Sequence, residues 1–263
     1  MAAAERVISA RPGFLRWDAA VRTRLVLLVA ILAIWEAIAA SGWFYRDVVP
    51  SIRLIIDALV RLVLNPGFHA NLATTAWEVI ASIAIGCAAG LLIGLMLGSN
   101  RFLARAFEGY LYYLGPTPKI ILFPVMIMWF GVGPGSKVAM GALSCFFPVV
   151  LSTAAGMRQI DGVLIRVGQS FRASTMQMVT KIYLPAMRAP MLNGLRLGFG
   201  ISIIGVLLAE TKLSNKGVGF MINHAYSLFD MPTMYAILIV VFAIAILCNT
   251  ALGRIAAGSI AVR

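Results

Sequence analysis

Long apolar runs alternate with short polar breaks along the whole chain. Runs over about 25–43, 75–98, 103–130, 137–157, 191–210 and 234–253 are each long enough to cross a bilayer as a helix. The pattern predicts an all-α integral membrane protein with about six transmembrane helices, a basic tail over 1–24 and a single transmembrane domain over 25–263. Arg6, Arg11, Arg16, Arg22 and Arg24 precede the first run without a small-residue cleavage site, so the first helix reads as retained and not as a cleaved signal. Residues 43–74 read as an external connection. Within it, apolar positions at helical spacing over 51–64 predict a short amphipathic helix, ended by Asn65-Pro66-Gly67.

Breaks inside the runs carry more information than the runs. In the third, Gly115-Pro116-Thr117-Pro118-Lys119 removes two backbone donors and must break or kink the helix. A broken helix at membrane depth is tolerated only where it lines a cavity or is buried in protein, which makes Pro116, Thr117, Pro118 and Lys119 candidates for a translocation path. The second run places Gly86, Gly90, Gly94 and Gly98 on one ridge, where a neighbouring backbone can approach closely, either within the subunit or across a dimer. Residues 212–232, with Gly217-Val218-Gly219-Phe220, read as a re-entrant or outer loop containing a short helix.

The longest hydrophilic interruption is RQIDGVLIRVGQSFRASTMQMVTKIYLPAMRAP, residues 158–190. Asp161 is a candidate N-cap, after which Leu164, Val167 or Gly168, and Phe171 share one helical face. Ser174 with Gln177 fits a capping box opening a second short helix that Pro185 must soon end. Such a pair would display Phe171, Met176 and Ile182 outside the bilayer. Two readings stand: a docking surface for a partner, or an interfacial helix lying on lipid.

Composition and charge narrow the class. At 61% hydrophobic and 12% charged, the 263 residues exclude a soluble domain, which carries about 25% charge. The net charge of +12 is scattered over short loops and forms no nucleic-acid patch. The tail, the Arg101 loop, the 158–190 loop and the C-terminus together hold 14 basic residues. Six lie on the opposite side: Arg46, Arg53, Arg61, Lys137, Lys212 and Lys216. That bias predicts both termini and the 158–190 loop in the cytoplasm. Cys87, Cys145 and Cys248 all lie in apolar runs and read as small hydrophobes, not as a disulfide framework. His69 and His224 stand apart without a carboxylate cluster, so no metal site is predicted.

The loop resembles the cytoplasmic coupling loop of permease subunits of ATP-binding-cassette (ABC) importers. Their pattern is Glu-Ala-Ala, three residues, Gly, nine residues, Ile, one residue, Leu-Pro. Ile182, Leu184 and Pro185 match its end in register, whereas Arg166, Val167 and Gly168 stand in place of Glu-Ala-Ala and Arg172 in place of the glycine. An arginine there predicts that the first short helix runs on in right-handed geometry to Arg172 or Ala173, with Ser174 opening the next. TPKIILFPVMIMWFGVGPGSK, FFPVVLSTAAGM, NGLRLGFG and LLAETKLSNKGVGFMI, in this order, resemble the nitrate, sulfonate and taurine branch of these permeases over roughly 50–250. The resemblance implies a type I ABC importer permease-like bundle in the bacterial inner membrane. It further implies a second permease copy or paralogue, two ABC ATPase subunits that bind ATP and Mg, and an extracytoplasmic binding protein delivering a small anionic solute. Leu164, Arg166, Val167, Gly168, Phe171, Arg172, Ser174, Ile182, Leu184 and Pro185 would then couple to the ATPases, and this chain would hold no cofactor and no catalytic residue.

Two other classes compete. A membrane-embedded enzyme needs clustered ionisable groups, whereas Glu36, Glu78, Lys119 and Glu210 read as one per segment. A secondary transporter usually needs more helices and internal repeats. Glu210 reads either as part of an outer gate on the path or as an interfacial ion pair with Lys212 or Lys216. Lys119 reads either as facing the solute or as snorkelling.

Overall fold

The computed structural model describes residues 19–44 and 48–261, with side chains over 20–44 and 48–254. Arg6, Arg11, Arg16, Arg46 and Arg263 of the charge tally lie outside the described residues. The chain divides into two compact units, one ending at Leu54 and the other beginning at Ile55. In the first, helix α1 (Ala19–Ser41) is unbroken apolar sequence from Leu25 to Trp35, between Arg24 and Glu36. Trp35 Nε1 donates to the Pro50 carbonyl (3.0 Å), and the Glu36 carboxylate accepts the Ile52 N–H (2.9 Å). Glu36 therefore serves the start of helix α2 (Ile52–Leu64), where unpaired N–H groups favour an anion.

In the second unit, Ala58 and Leu62 of α2 pack with Phe68, Val218, Ala236 and Ile237. Asn65-Pro66-Gly67 does more than end α2. The Asn65 side chain accepts the Gly67 N–H (2.8 Å) and Pro66 takes the first helical position, so helix α3 (Pro66–Ser99) opens at once. It begins nine residues before the expected start near 75, and the expected external connection is helical from Ile52 onward except at Asn65. Proline in the first turn costs nothing there, which is why the turn signal misled.

Helices α3, α6 (Pro134–Arg158) and α10 (Arg188–Lys212) form the packed centre. The glycine ridge of α3 faces α6 of the same chain. A Cβ on Gly86 would meet the Ala142 carbonyl at 2.6 Å, on Gly90 the Val149 side chain at 2.9 Å, and on Gly94 Thr153 Cβ at 2.6 Å; on Gly98 it would overlap Met157. Backbones this close are how helices gain contact where lipid competes equally for apolar surface.

The third run is interrupted as its prolines require. Helix α4 (Arg101–Leu114) stops before them, a 3₁₀ turn follows (Lys119–Leu122), then helix α5 (Phe123–Phe130), and the two limbs bend by 96°. No residue of α4 is buried, and an ion pair from Glu108 to Arg158 at the end of α6 ties it down. After α10 come the short helix α11 (Val218–Ser227) and the long α12 (Met231–Ala261), joined to α10 by Arg196 Nε donating to Asn249 Oδ1 (2.8 Å). Among the described residues, five helices are long and apolar enough to cross a membrane, or six if the bent pair counts as one span.

Candidate functional site: the polar loop, the bent-helix cavity and a buried charge cluster

The 158–190 loop is a built structure. Helix α7 (Gly162–Ser170) is capped by Asp161, whose carboxylate accepts the Val163 N–H (2.8 Å). Its other end closes with the Arg172 N–H on the Gln169 carbonyl (2.9 Å) and the Ala173 N–H on the Gly168 carbonyl (3.0 Å). That paired closure requires a left-handed residue, and Arg172 adopts it, with φ +48°. The expected right-handed continuation through Arg172 is therefore incorrect. The two closing bonds and the immediate restart at Ser174 hold the arginine in the conformation a glycine would take freely, at about 1 kcal/mol of strain.

Ser174 makes both bonds of its capping box with Gln177 (2.9 and 3.3 Å). Helix α8 (Thr175–Gln177), a π turn (Met178–Tyr183) and helix α9 (Leu184–Ala186) then run on without a gap, so Pro185 does not end the helix before its own position. The chain turns at Met187, one residue beyond α9. Ile182 is not displayed, contrary to expectation. Its δ-carbon and the Met178 sulfur sit over Gly168, where any Cβ would overlap both. Gly168 and Ile182 thus join the two halves of the loop, with Leu184 and Pro185 half-buried behind them. Val163, Leu164, Val167, Phe171 and Met176 face outward, Phe171 at 83% exposure, flanked by exposed Arg166 and Arg172.

At the bend, a cavity of about 380 Å³ is lined by Gly115, Pro116, Thr117, Pro118 and Lys119, with Met140 and Ser144 of α6 and Ile204, Gly205 and Leu208 of α10. Lys119 closes its own turn by donating to the Gly115 carbonyl, and its ammonium lies 4.8 Å from the Phe147 ring centroid. Thr117 Oγ1 donates to the Leu114 carbonyl (2.7 Å).

Glu210 does not line this cavity, nor does it pair with Lys212 or Lys216. It is 1% exposed, and its carboxylate accepts from Thr75 Oγ1 and from the Gly219 N–H, both at 2.7 Å. Thr75 in turn accepts the Val218 N–H (2.8 Å), and Asn71 accepts the Gly217 N–H (2.7 Å). Glu210, Thr75 and Asn71 together thereby satisfy the opening N–H groups of α11. Gly217, at φ +99°, has no alternative there: a Cβ would overlap the Glu210 carboxylate.

Around Glu210 lies a cluster that one-per-segment counting missed. Glu78 of α3 faces it at 2% exposure, and Lys137 of α6, 1% exposed, is the positive charge acting on both carboxylates. The Lys137 ammonium donates to the carbonyls of Val132 and Gly133, closing the turn before α6. Lys137 is therefore not a surface residue of the outer tally. The signal available in the sequence was the position of all three, each within a few turns of the helix end remote from the 158–190 loop.

A bundle of five or six spans apolar enough to cross a membrane, with an amphipathic polar loop whose outward face is apolar, is that of a multi-pass membrane protein. The chain belongs to the family described as the binding-protein-dependent transport system inner membrane component, whose model matches residues 88–258. It is an ABC importer permease subunit. It is 30% identical over 220 residues to the putative aliphatic sulfonates transport permease protein SsuC of Bacillus subtilis, covering 84% of this chain and 79% of that one. To the taurine transport system permease protein TauC of Escherichia coli it is 28% identical over 247 residues, covering 90% and 89%. Inward-facing structures of the MetNI methionine ABC transporter share the fold, one with a TM-score of 0.64 at 18% identity over 78% of this chain and 97% of that one.

Proposed function

We propose that this permease subunit forms, with a second copy or a paralogue, the path for a small anionic solute that an extracytoplasmic binding protein delivers. Two ATPase subunits, which bind ATP and Mg, drive it through the 158–190 loop from the cytoplasm, where both termini also lie. The observation that carries this reading is the outward face of the loop. Val163, Leu164, Val167, Phe171 and Met176 expose apolar surface at the basic end of the bundle, on a scaffold fixed by two caps and a left-handed closure. Surface of that kind needs a partner groove. The anionic solute rests on the sulfonate and taurine relatives and on the basic residue at the bend. The cavity at Pro116–Lys119 supports placing the path there, where helix breaks are tolerated only beside protein or water.

Phe171→Ala tests the coupling. Truncating an interface anchor costs about 2 kcal/mol or more, so the variant should lose ATPase subunits on purification while inserting normally. Full assembly and transport in that variant would remove the loop from the coupling role. Thr117→Cys tests the path: a small charged thiol reagent should label it in one nucleotide state and not in another, and equal labelling in both places the path elsewhere.

A further inference from the structure

Cys87 of α3 and Cys145 of α6 stand with their sulfurs 3.5 Å apart. That is van der Waals contact, and a bonded pair needs about 2.05 Å. Both sulfurs sit on single-bond rotors, so side-chain rotation is the movement that brings them together. The two helix backbones are already in contact at this level. A Cβ on Gly86 would lie 2.7 Å from Cys145 Cβ and 2.6 Å from the Ala142 carbonyl, so the Cys145 Cβ already rests on the α3 backbone. From the third side, Gly198 of α10 leaves space filled by the Cys145 sulfur, 2.8 Å from where its Cβ would be. Cys145 is fully buried and Cys87 half-buried, so the pair joins one partly exposed residue to one enclosed beside it. Cys248 lies apart on α12, lining an apolar cavity of about 190 Å³ with Leu72, Val79 and Phe199.

We propose that Cys87 and Cys145 are an oxidisable pair, closed to a disulfide across the α3–α6 seam by a small uncharged oxidant of the peroxide class. The peroxide converts the Cys87 thiol to a sulfenic acid, its O–O bond breaking and one water leaving. The Cys145 sulfur then attacks the Cys87 sulfur, the S–O bond breaks, and the departing hydroxide leaves as a second water with the Cys145 proton. Two thiols give up two protons and two electrons, and one hydrogen peroxide becomes two waters. An uncharged oxidant is required because the pair lies within the membrane-spanning part of both helices.

The experiment uses the assembled transporter in membranes. Hydrogen peroxide is applied, the protein is denatured, free thiols are alkylated, and peptides are mapped by mass. The expected product joins the Cys87 and Cys145 peptides and is lighter than their sum by two hydrogens; Cys248 alone is alkylated, and dithiothreitol restores three free thiols. Because the seam is already closed, the linked protein should also melt about 5 °C or more higher, reversibly on reduction. Cys87→Ser should abolish the link while leaving the unoxidised melting temperature near that of the parent. Alkylation of both cysteines after peroxide, or conversion of Cys87 to sulfinic acid without a link, overturns the proposal. So does a link that lowers the melting temperature, since the resting geometry would then not be the one that closes.

Discussion

Replacing Lys137 with methionine keeps the length and most of the volume of the side chain and removes its charge. In the folded protein that charge is 1% exposed and is the cation acting on Glu78 and Glu210, themselves 2% and 1% exposed. Lys137 acts on both carboxyl groups from beyond ion-pairing distance, its ammonium bonding the Val132 and Gly133 carbonyls instead. The cost of breaking a buried ion pair from one side, about 3–5 kcal/mol, is therefore an upper bound on the loss. The two carboxylates differ in what else they do. Glu210 accepts from Thr75 and Gly219, whereas Glu78 Oε2 has no hydrogen-bond partner among the described residues. Neutralising Glu78 should therefore relieve Lys137→Met, and neutralising Glu210 should relieve it less, because one of the two oxygens that accept from Thr75 and Gly219 would become an amide donor. Thermal unfolding of the detergent-purified subunit gives the measurement. Lys137→Met should lower stability by about 1–3 kcal/mol, and adding Glu78→Gln should return at least about 0.5 kcal/mol of that as coupling between neighbours. A loss under 1 kcal/mol, or equal rescue by Glu210→Gln, would refute the account of the cluster.

Three further outcomes follow from close contacts. Gly94→Ala should destabilise by about 1–3 kcal/mol, since its Cβ meets Thr153 at 2.6 Å; Gly109→Ala, with nothing within 4 Å, is the control, and equal melting of the two would exclude a tight seam. Arg172→Gly should leave folding unchanged or improve it by up to about 1 kcal/mol, because the residue sits at φ +48°; a clear loss of stability by thermal melting would mean that the arginine side chain, not its backbone, holds the loop. Gly168→Val should separate the halves of the loop by displacing Ile182 and Met178 and weaken ATPase retention on purification, with the spans still inserted; unaltered retention would show that the halves need not be joined.

The sequence was most readable where one residue type admits one backbone. Two prolines in three residues announced the bend at 116–118, and Ser174 with Gln177 announced a cap that forms. It was least readable where a residue serves two purposes. Asn65-Pro66-Gly67 ends one helix and starts the next, so a turn signal concealed a junction. Arg172 looked incompatible with a left-handed closure because backbone preference is only about 1 kcal/mol, less than two closing hydrogen bonds and a following cap can supply. The Glu78, Lys137 and Glu210 cluster joins residues 59 to 132 positions apart, a proximity that no local spacing encodes.

Helix α3 has 34 residues and so measures about 51 Å, against a hydrocarbon layer of about 30 Å. Measured back from its end at Ser99, that layer is used up in about 20 residues, near Val79. Counted in this way, Glu78 falls at the edge of the layer. Three ionisable groups can therefore lie fully enclosed by protein at the waterline of the membrane without being carried into its depth, where charge is costliest.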